Sequence, residues 1–141
     1  MRPMRIFFDV DDTIITWDVR LRPGVHEVFG LLRAEGHEVY LWSGYGPRWE
    51  VVRQFELHEY VLDCFWKPLY DHHARLAELG VPFPPDFVID DHPQVVRAFG
   101  GYHIAPPRSP LHEDRELWAA YEAIRRFVTE RRGAPGGRHG P

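Results

Sequence analysis

Short apolar runs alternate with longer amphipathic stretches along this chain. The first run, "MRIFFD" at residues 4–9, is apolar almost throughout, which is typical of a strand buried on both faces. Similar runs predict four further strands, at 37–43, 60–66, 86–90 and 102–105. The alternation of such strands with helices favours a doubly wound parallel sheet.

The longer stretches predict helices that pack against that sheet. The stretch 24–36 places Val25, Val28 and Phe29 on one helical face and has Pro23 at its start. Further helices are predicted at 48–57, 70–80, 93–100 and 113–132. We therefore expect an α/β fold, a three-layer Rossmann-like parallel sheet of about five strands, in one domain of residues 1–132, followed by a disordered tail at 133–141.

Composition narrows the class of protein. A chain of 141 residues with 44% hydrophobic content can bury one core, and its net charge of -4 disfavours non-specific binding to nucleic acid. The single cysteine, Cys64, excludes an internal disulfide framework. With no apparent signal peptide or membrane span, we expect a soluble, cytoplasmic protein that does not bind membranes.

Polar residues follow each of the first four predicted strands. The first strand ends at Asp9 and the second at Ser43, while Lys67 follows the third, and Asp90 and Asp91 end the fourth. In doubly wound sheets, ligands bind at the carboxyl ends of the strands. These side chains are therefore expected to converge on one edge of the sheet.

This set of residues suits phosphoryl transfer. Carboxylates from the first and fourth strands can share a Mg²⁺ ion, which prefers oxygen ligands and relieves their mutual repulsion. One carboxylate can then act as the nucleophile toward phosphorus, and Asp11 can act as general acid and base. Lys67 and Ser43 would hold the phosphoryl oxygens.

Four motifs in this order resemble those of the haloacid dehalogenase superfamily, in its Asp-nucleophile phosphatase branch. They are "DVDDT" (9–13), "LWSG" (41–44), "WKP" (66–68) and "VIDD" (88–91), and the resemblance covers residues 4–105. It implies that Asp9 is the nucleophile that carries the phosphoryl group and that Asp11 is the acid and base. It also implies that Thr13 supports Asp11.

The resemblance further implies the ligands of phosphate and metal. The phosphate binders would be Ser43, Gly44, Lys67 and Thr13, and the Mg²⁺ ligands would be Asp9, Asp90, the backbone carbonyl of Asp11 and, directly or as an outer ligand, Asp91. The segments between the motifs are short, which implies a member without a cap domain. Asp12 stands where a glycine is frequent in the family, although an acid there is a familiar variant.

Each motif taken singly has a structural explanation. The acidic run could be a solvated turn, Ser43 a helix cap, Lys67 a surface lysine, and Asp90 or Asp91 a cap of the next helix. Their conjunction at four successive strand ends favours a phosphatase site over these alternatives.

The substrate is left open by the sequence. Arg48 is a predicted substrate contact, and Trp17 is either a second contact or a packing residue. The substrate would be a phosphorylated small molecule or an exposed phosphoester of a macromolecule, and nucleic acid would bind only as a substrate end. The sequence also leaves open whether the protein is an oligomer in which a partner subunit covers the site. The alternative function is a phosphate-binding or phosphoacceptor signalling domain without sustained turnover. In receiver domains, however, the Lys-Pro comes last, whereas here Lys67 precedes Asp90.

Overall fold

Five parallel strands form the single sheet of the computed structural model, which describes residues 3–133. The strands are β1 (Arg5–Asp9), β2 (Glu38–Ser43), β3 (Val61–Trp66), β4 (Phe87–Asp90) and β5 (Gly101–His103), in the spatial order β3-β2-β1-β4-β5. The predicted α/β fold is confirmed, and each predicted strand is present with its ends shifted by two residues or fewer.

The apolar run of β1 is the centre of the sheet. Phe8 pairs with Leu41 of β2 on one side and with Ile89 of β4 on the other, and all three are fully buried. Phe7 is equally buried on the opposite face. A strand with neighbouring strands on both edges and helices on both faces exposes no side chain to solvent, which explains why residues 6–8 are all apolar.

The helices are α1 (Val25–Ala34), α2 (Trp49–Gln54), α3 (Pro93–Phe99) and α4 (Glu116–Gly133), with one turn of 3₁₀ helix at Leu111–Glu113. Buried side chains of α1, α2 and α4 pack with Ile6 and Phe8 on one face of the sheet. The prediction of a disordered tail at 133–141 is wrong for Gly133, which is the last residue of α4. The rest of that prediction, residues 134–141, lies outside the described residues. None of the described helices is both long and apolar enough to cross a membrane.

The helix predicted at 70–80 is wrong. This segment is a series of turns that begins with Asp71 at a φ of 46°, and its hydrogen bonds change span along the segment. The amide of Arg75 donates to the carbonyl of Asp71, whereas the amide of Val81 reaches back to Leu76. Leu76 is the one buried residue between 71 and 80, so little buried apolar surface favours a regular helix. Leu76 and Val81 nevertheless pack with α3 against the second face of the sheet.

The strand order reverses between β1 and β4, which places the ligand crevice of such a sheet beyond the ends of these two strands. Asp9 and Asp90 are their last residues. After β1, the chain forms a small flap closed by backbone bridges of Ile15 to Asp11 and Leu21. No inserted domain occurs within residues 3–133, so the expectation of a fold without a cap is confirmed.

Candidate active site

The ammonium group of Lys67 lies between two buried carboxylates. Its Nζ is 2.9 Å from Asp9 Oδ1 and 3.1 Å from Asp90 Oδ2. The backbone amide of Lys67 donates to the Ser43 carbonyl at 2.9 Å, which extends the pairing of β3 with β2 to this residue. Because Lys67 and Asp9 are each 4% exposed, the surface-lysine explanation fails for Lys67 and the solvated-turn explanation fails for Asp9.

Burial and mutual repulsion dominate the electrostatics of this cluster. Burial raises the pKa of Asp9 to about 7, with a smaller contribution from Asp91, while Lys67 acts in the opposite direction. Burial and the charge of Asp9 also raise the pKa of Asp90. For Lys67, burial alone would lower the pKa, but Asp9 and Asp90 together raise it. The lysine therefore stays charged beside carboxylates that resist ionising together.

A metal ion fits this cluster. Asp9, Asp90, Asp91 and His92 each offer a ligand atom, and these atoms lie within 4.8 Å of one another. Asp91 Oδ1 is buried and accepts no hydrogen bond from the described residues, although His92 Nδ1 lies 3.1 Å away. When all three carboxylates are ionised, one ammonium leaves two negative charges unmatched, which a divalent cation would offset.

The sequence prediction missed His92. Its ring Nδ1 lies 3.1 Å from Asp90 Oδ1, and its backbone amide donates to the same oxygen at 2.9 Å. The only sequence signal was its position directly after "VIDD". The N-cap residue of α3 is His92, and no side chain forms a capping hydrogen bond there. The alternative explanation of Asp90 or Asp91 as a helix cap therefore does not hold.

The side chains of Asp11 and Thr13, which the resemblance implied as a pair, form hydrogen bonds with other residues. The Thr13 hydroxyl donates to Asp9 Oδ2 at 3.2 Å, which corrects the expectation that it supports Asp11. The Asp11 carboxylate instead forms an ion pair with Arg48, with Oδ2 2.7 Å from Nη1, and Arg48 Nε lies 2.5 Å from Glu50. Asp11 is thus held beside the cluster rather than within it.

A cavity of about 370 Å³ opens over the cluster. It brings together most of the predicted site, since its lining comprises Asp9, Asp11, Asp12, Ser43, Gly44, Tyr45, Lys67, Leu69, Asp91 and His92. Thr13 is fully buried beneath it and is not part of the lining. Trp17 and Arg48 lie instead in an adjoining cavity, together with Asp11.

The loop after β2 is shaped by Ser43 and Gly44. Ser43 Oγ accepts a hydrogen bond from the Tyr45 amide at 3.0 Å, and α2 begins only at Trp49, so Ser43 does not cap that helix. A Cβ at Gly44 would approach the Leu69 side chain to 3.0 Å, so a larger residue would require Leu69 to shift. The result is a tight backbone turn that faces the cavity.

Arg22 was also missed, and it fixes the backbone behind the site. Its guanidinium bonds Asp114 through Nε at 2.8 Å and Nη2 at 3.0 Å, and its Nη1 donates to the carbonyls of Asp12 and Thr13 at 3.3 Å. Asp12 has a left-handed φ of 61°, which aspartate tolerates better than most residues. Asp114 is 92 residues away in sequence, so no local pattern pointed to the pair.

Comparison with known proteins adds nothing to this geometry, because no protein family and no curated protein matches the chain.

Proposed function

We propose that this chain is a Mg²⁺-dependent phosphomonoester hydrolase that carries the phosphoryl group transiently on Asp9. The observation that supports this most strongly is the buried Lys67 between Asp9 and Asp90, at the reversal of strand order and below an open cavity. A buried carboxylate beside a fixed cation and an excess of negative charge is costly to the fold. Such an arrangement is typical of a catalytic or ligand-binding site.

In the first step, a carboxylate oxygen of Asp9 forms a bond to phosphorus while the bond from phosphorus to the ester oxygen breaks. Asp11, in its protonated form, transfers its proton to the departing oxygen, while Arg48 keeps its contact with Glu50. Lys67, Ser43 and the turn at Gly44 hold the phosphoryl oxygens. Mg²⁺ held by Asp9, Asp90 and Asp91 would supply positive charge to the phosphoryl group when bound.

In the second step, Asp11 acts as a base. It takes a proton from a water molecule, whose oxygen forms a bond to phosphorus as the bond to Asp9 breaks. Inorganic phosphate leaves, and Asp9 is restored as a carboxylate. The ion pair with Arg48 holds the Asp11 carboxylate at the edge of the cavity that Asp9 lines, where it can reach such a water molecule.

The alternative function, a phosphoacceptor domain without turnover, has less support. Receiver-type doubly wound sheets have the strand order 2-1-3-4-5, whereas this sheet has the order 3-2-1-4-5. In addition, Asp11 lines the cavity beside Asp9, where it can serve the second step.

Intact-protein mass spectrometry after mixing with Mg²⁺ and an aryl phosphate tests the proposal. We expect sustained phosphate release by the unmodified chain, and neither release nor an added phosphoryl group with Asp9→Asn. Asp11→Asn should be labelled but should release phosphate about 100 to 10,000 times more slowly. Glu130→Gln, a change of an exposed carboxylate on α4, is the matched control and should behave like the unmodified chain.

Four outcomes would overturn parts of this proposal. A label on Asp9→Asn, or rapid turnover by Asp11→Asn, would mean that the roles are assigned to the wrong carboxylates. Stoichiometric labelling of the unmodified chain without continued release would favour the phosphoacceptor alternative. Full activity in a chelator-treated sample would remove Mg²⁺ from the reaction.

A further inference from the structure

A second cavity of about 560 Å³ adjoins the one above the cluster. The two share Asp11, Asp12 and Tyr45 in their linings, so a molecule whose phosphate occupies the first can extend into the second. The second cavity has two aromatic walls, Trp17 from the flap and Tyr45 from the loop after β2. We call it the Trp17–Tyr45 pocket.

Both aromatic side chains are unusually exposed. Trp17 is 86% and Tyr45 is 82% exposed, and neither ring stacks on another aromatic ring within residues 3–133. A single exposed ring needs no explanation, but two exposed rings that line the same cavity beside a charged site indicate a binding surface.

The backbone on both sides of the pocket is braced. In the flap, the Thr16 hydroxyl bonds Asp18 at 2.5 Å and accepts from the Arg20 amide at 2.9 Å, which fixes the turn that carries Trp17. On the opposite side, Ser43 Oγ holds the amide of Tyr45 at 3.0 Å. The backbone that carries the two rings therefore loses little conformational freedom when a ligand binds.

The charges of the pocket exclude one class of ligand. Its lining contains three carboxylates, Asp11, Asp12 and Glu50, and one cation, Arg48. Arg48 is already engaged by Asp11 at 2.7 Å and by Glu50 at 2.5 Å. No cation of the pocket lining is therefore free to receive an anion, and a leaving group with further negative charge would be repelled.

From these observations we infer that the Trp17–Tyr45 pocket binds the leaving group of the substrate, and that this group is an uncharged aromatic ring bonded to the ester oxygen. The ring would stack against Trp17 and Tyr45, which makes these two residues determinants of specificity. This inference rests on the proposed phosphatase function. The shared chemistry is a phenolic phosphoester, whose source is either a small aryl phosphate or a phosphotyrosyl side chain.

Binding of phosphonates tests the inference without any turnover. With Mg²⁺ present, calorimetry should find benzylphosphonate bound about tenfold more tightly than methylphosphonate, since only the former has a ring to stack. Trp17→Leu and Tyr45→Leu should each remove most of this preference. Trp118→Leu, a change of a partly exposed tryptophan on α4, is the matched control and should keep it.

Equal or undetectable binding of the two phosphonates by the unmodified chain, or an unchanged preference in Trp17→Leu, would overturn the inference. Kinetics separates this failure from that of the proposed function. Acetyl phosphate has no ring, so its hydrolysis reports on the phosphatase chemistry alone. We expect Trp17→Leu to lower kcat/KM for phenyl phosphate about tenfold and to leave kcat/KM for acetyl phosphate within about twofold.

Two further substrates examine the charge and the source of the ring. A carboxylate on the ring, as in 4-carboxyphenyl phosphate, should lower kcat/KM relative to phenyl phosphate, and a higher value would contradict the charge argument. A phosphotyrosyl peptide with neutral flanking residues should be hydrolysed with a higher kcat/KM than phenyl phosphate if the source is a protein, and with a lower one if it is a small molecule. Loss of both rates in Trp17→Leu supports the pocket in either case.

Discussion

Two buried ion clusters lie close together in this fold, and they differ in how completely their charges are matched. Arg22 meets Asp114 through two hydrogen bonds, and both side chains are fully buried. Lys67 contacts both Asp9 and Asp90, and the adjacent Asp91 has a buried oxygen without a hydrogen bond from the described residues. Full pairing is typical of a structural element, whereas unmatched charge beside a cavity is typical of a binding site.

The pKa shifts of the two clusters point in opposite directions. Burial alone would raise the pKa of Asp114, but the Arg22 guanidinium and the amides of Arg108 and Glu116 lower it. For Asp9, burial prevails over Lys67 and the pKa is raised. Both carboxylates are nearly inaccessible to solvent, but Asp114 accepts from a guanidinium and two backbone amides, whereas Asp9 shares its one cation with Asp90.

Replacement of the structural cation should have the largest effect on stability. Arg22→Met leaves Asp114 buried without its partner, and it frees the carbonyls of Asp12 and Thr13. We expect the free energy of unfolding to fall by about 3 to 5 kcal/mol in urea denaturation. Arg20→Met, which removes an exposed arginine from the same flap, should cost under about 1 kcal/mol. Similar losses in the two variants would refute the structural role of the buried pair.

Replacement of the other cation should be compensated by metal. Lys67→Met removes the only ammonium from the cluster, so its carboxylates repel more strongly in the presence of chelator. We expect Mg²⁺ at about 100 times its Kd to stabilise the unmodified chain by about 2.7 kcal/mol. Thermal unfolding with and without Mg²⁺ should show that Lys67→Met regains most of its loss, while Arg22→Met gains no more than the unmodified chain. If Mg²⁺ stabilises none of them, the metal site lies elsewhere.

Much of the fold and the centre of the site could be predicted from local sequence. The run at β1 could hardly be anything but a central strand, and the order of the strand ends placed Asp9, Lys67 and Asp90 at one edge. Residues whose partners are distant could not be found in this way. Arg22 binds Asp114, which is 92 positions away, and the sequence around either residue does not indicate that contact.

The errors have physical causes of the same kind. The segment 70–80 has apolar residues at helical spacing, but few of them, chiefly Leu76, pack against the sheet. A series of turns places these side chains on the sheet as well as a helix would. The contact of Thr13 with Asp9 depends on how the backbone turns at Asp12, whose positive φ is not readable from the residue type alone.

Acid should weaken the structural pair selectively. The pKa of Asp114 is lowered in the folded chain, so its contribution to stability is complete above the unfolded pKa of about 3.9 and is lost as the pH falls through the lower folded value. The window is therefore below about pH 4. Urea denaturation from pH 6 to pH 2.5 should show the stabilities of the unmodified chain and Asp114→Asn converging below pH 4. A constant difference over the whole range would mean that Asp114 does not titrate as the pairing requires.

The smallest effect should come from Thr13, which touches both clusters. Its carbonyl accepts from Arg22 at 3.3 Å, and its hydroxyl donates to Asp9 at 3.2 Å. Thr13→Val keeps the carbonyl and the shape but removes the hydroxyl, so we expect a loss of stability of about 1 kcal/mol or less. The rate of phosphate release should fall by up to about tenfold, because the hydroxyl orients the reacting carboxylate.

Thr13→Ser separates these two roles. It retains the hydroxyl, and phosphate release should recover relative to Thr13→Val even though a methyl group is lost from a buried position. Steady-state kinetics and urea denaturation on the same samples give both values. A loss of several kcal/mol in Thr13→Val with an unchanged rate would assign the hydroxyl to the structural cluster, and the boundary between the two clusters would then run between Thr13 and Asp9.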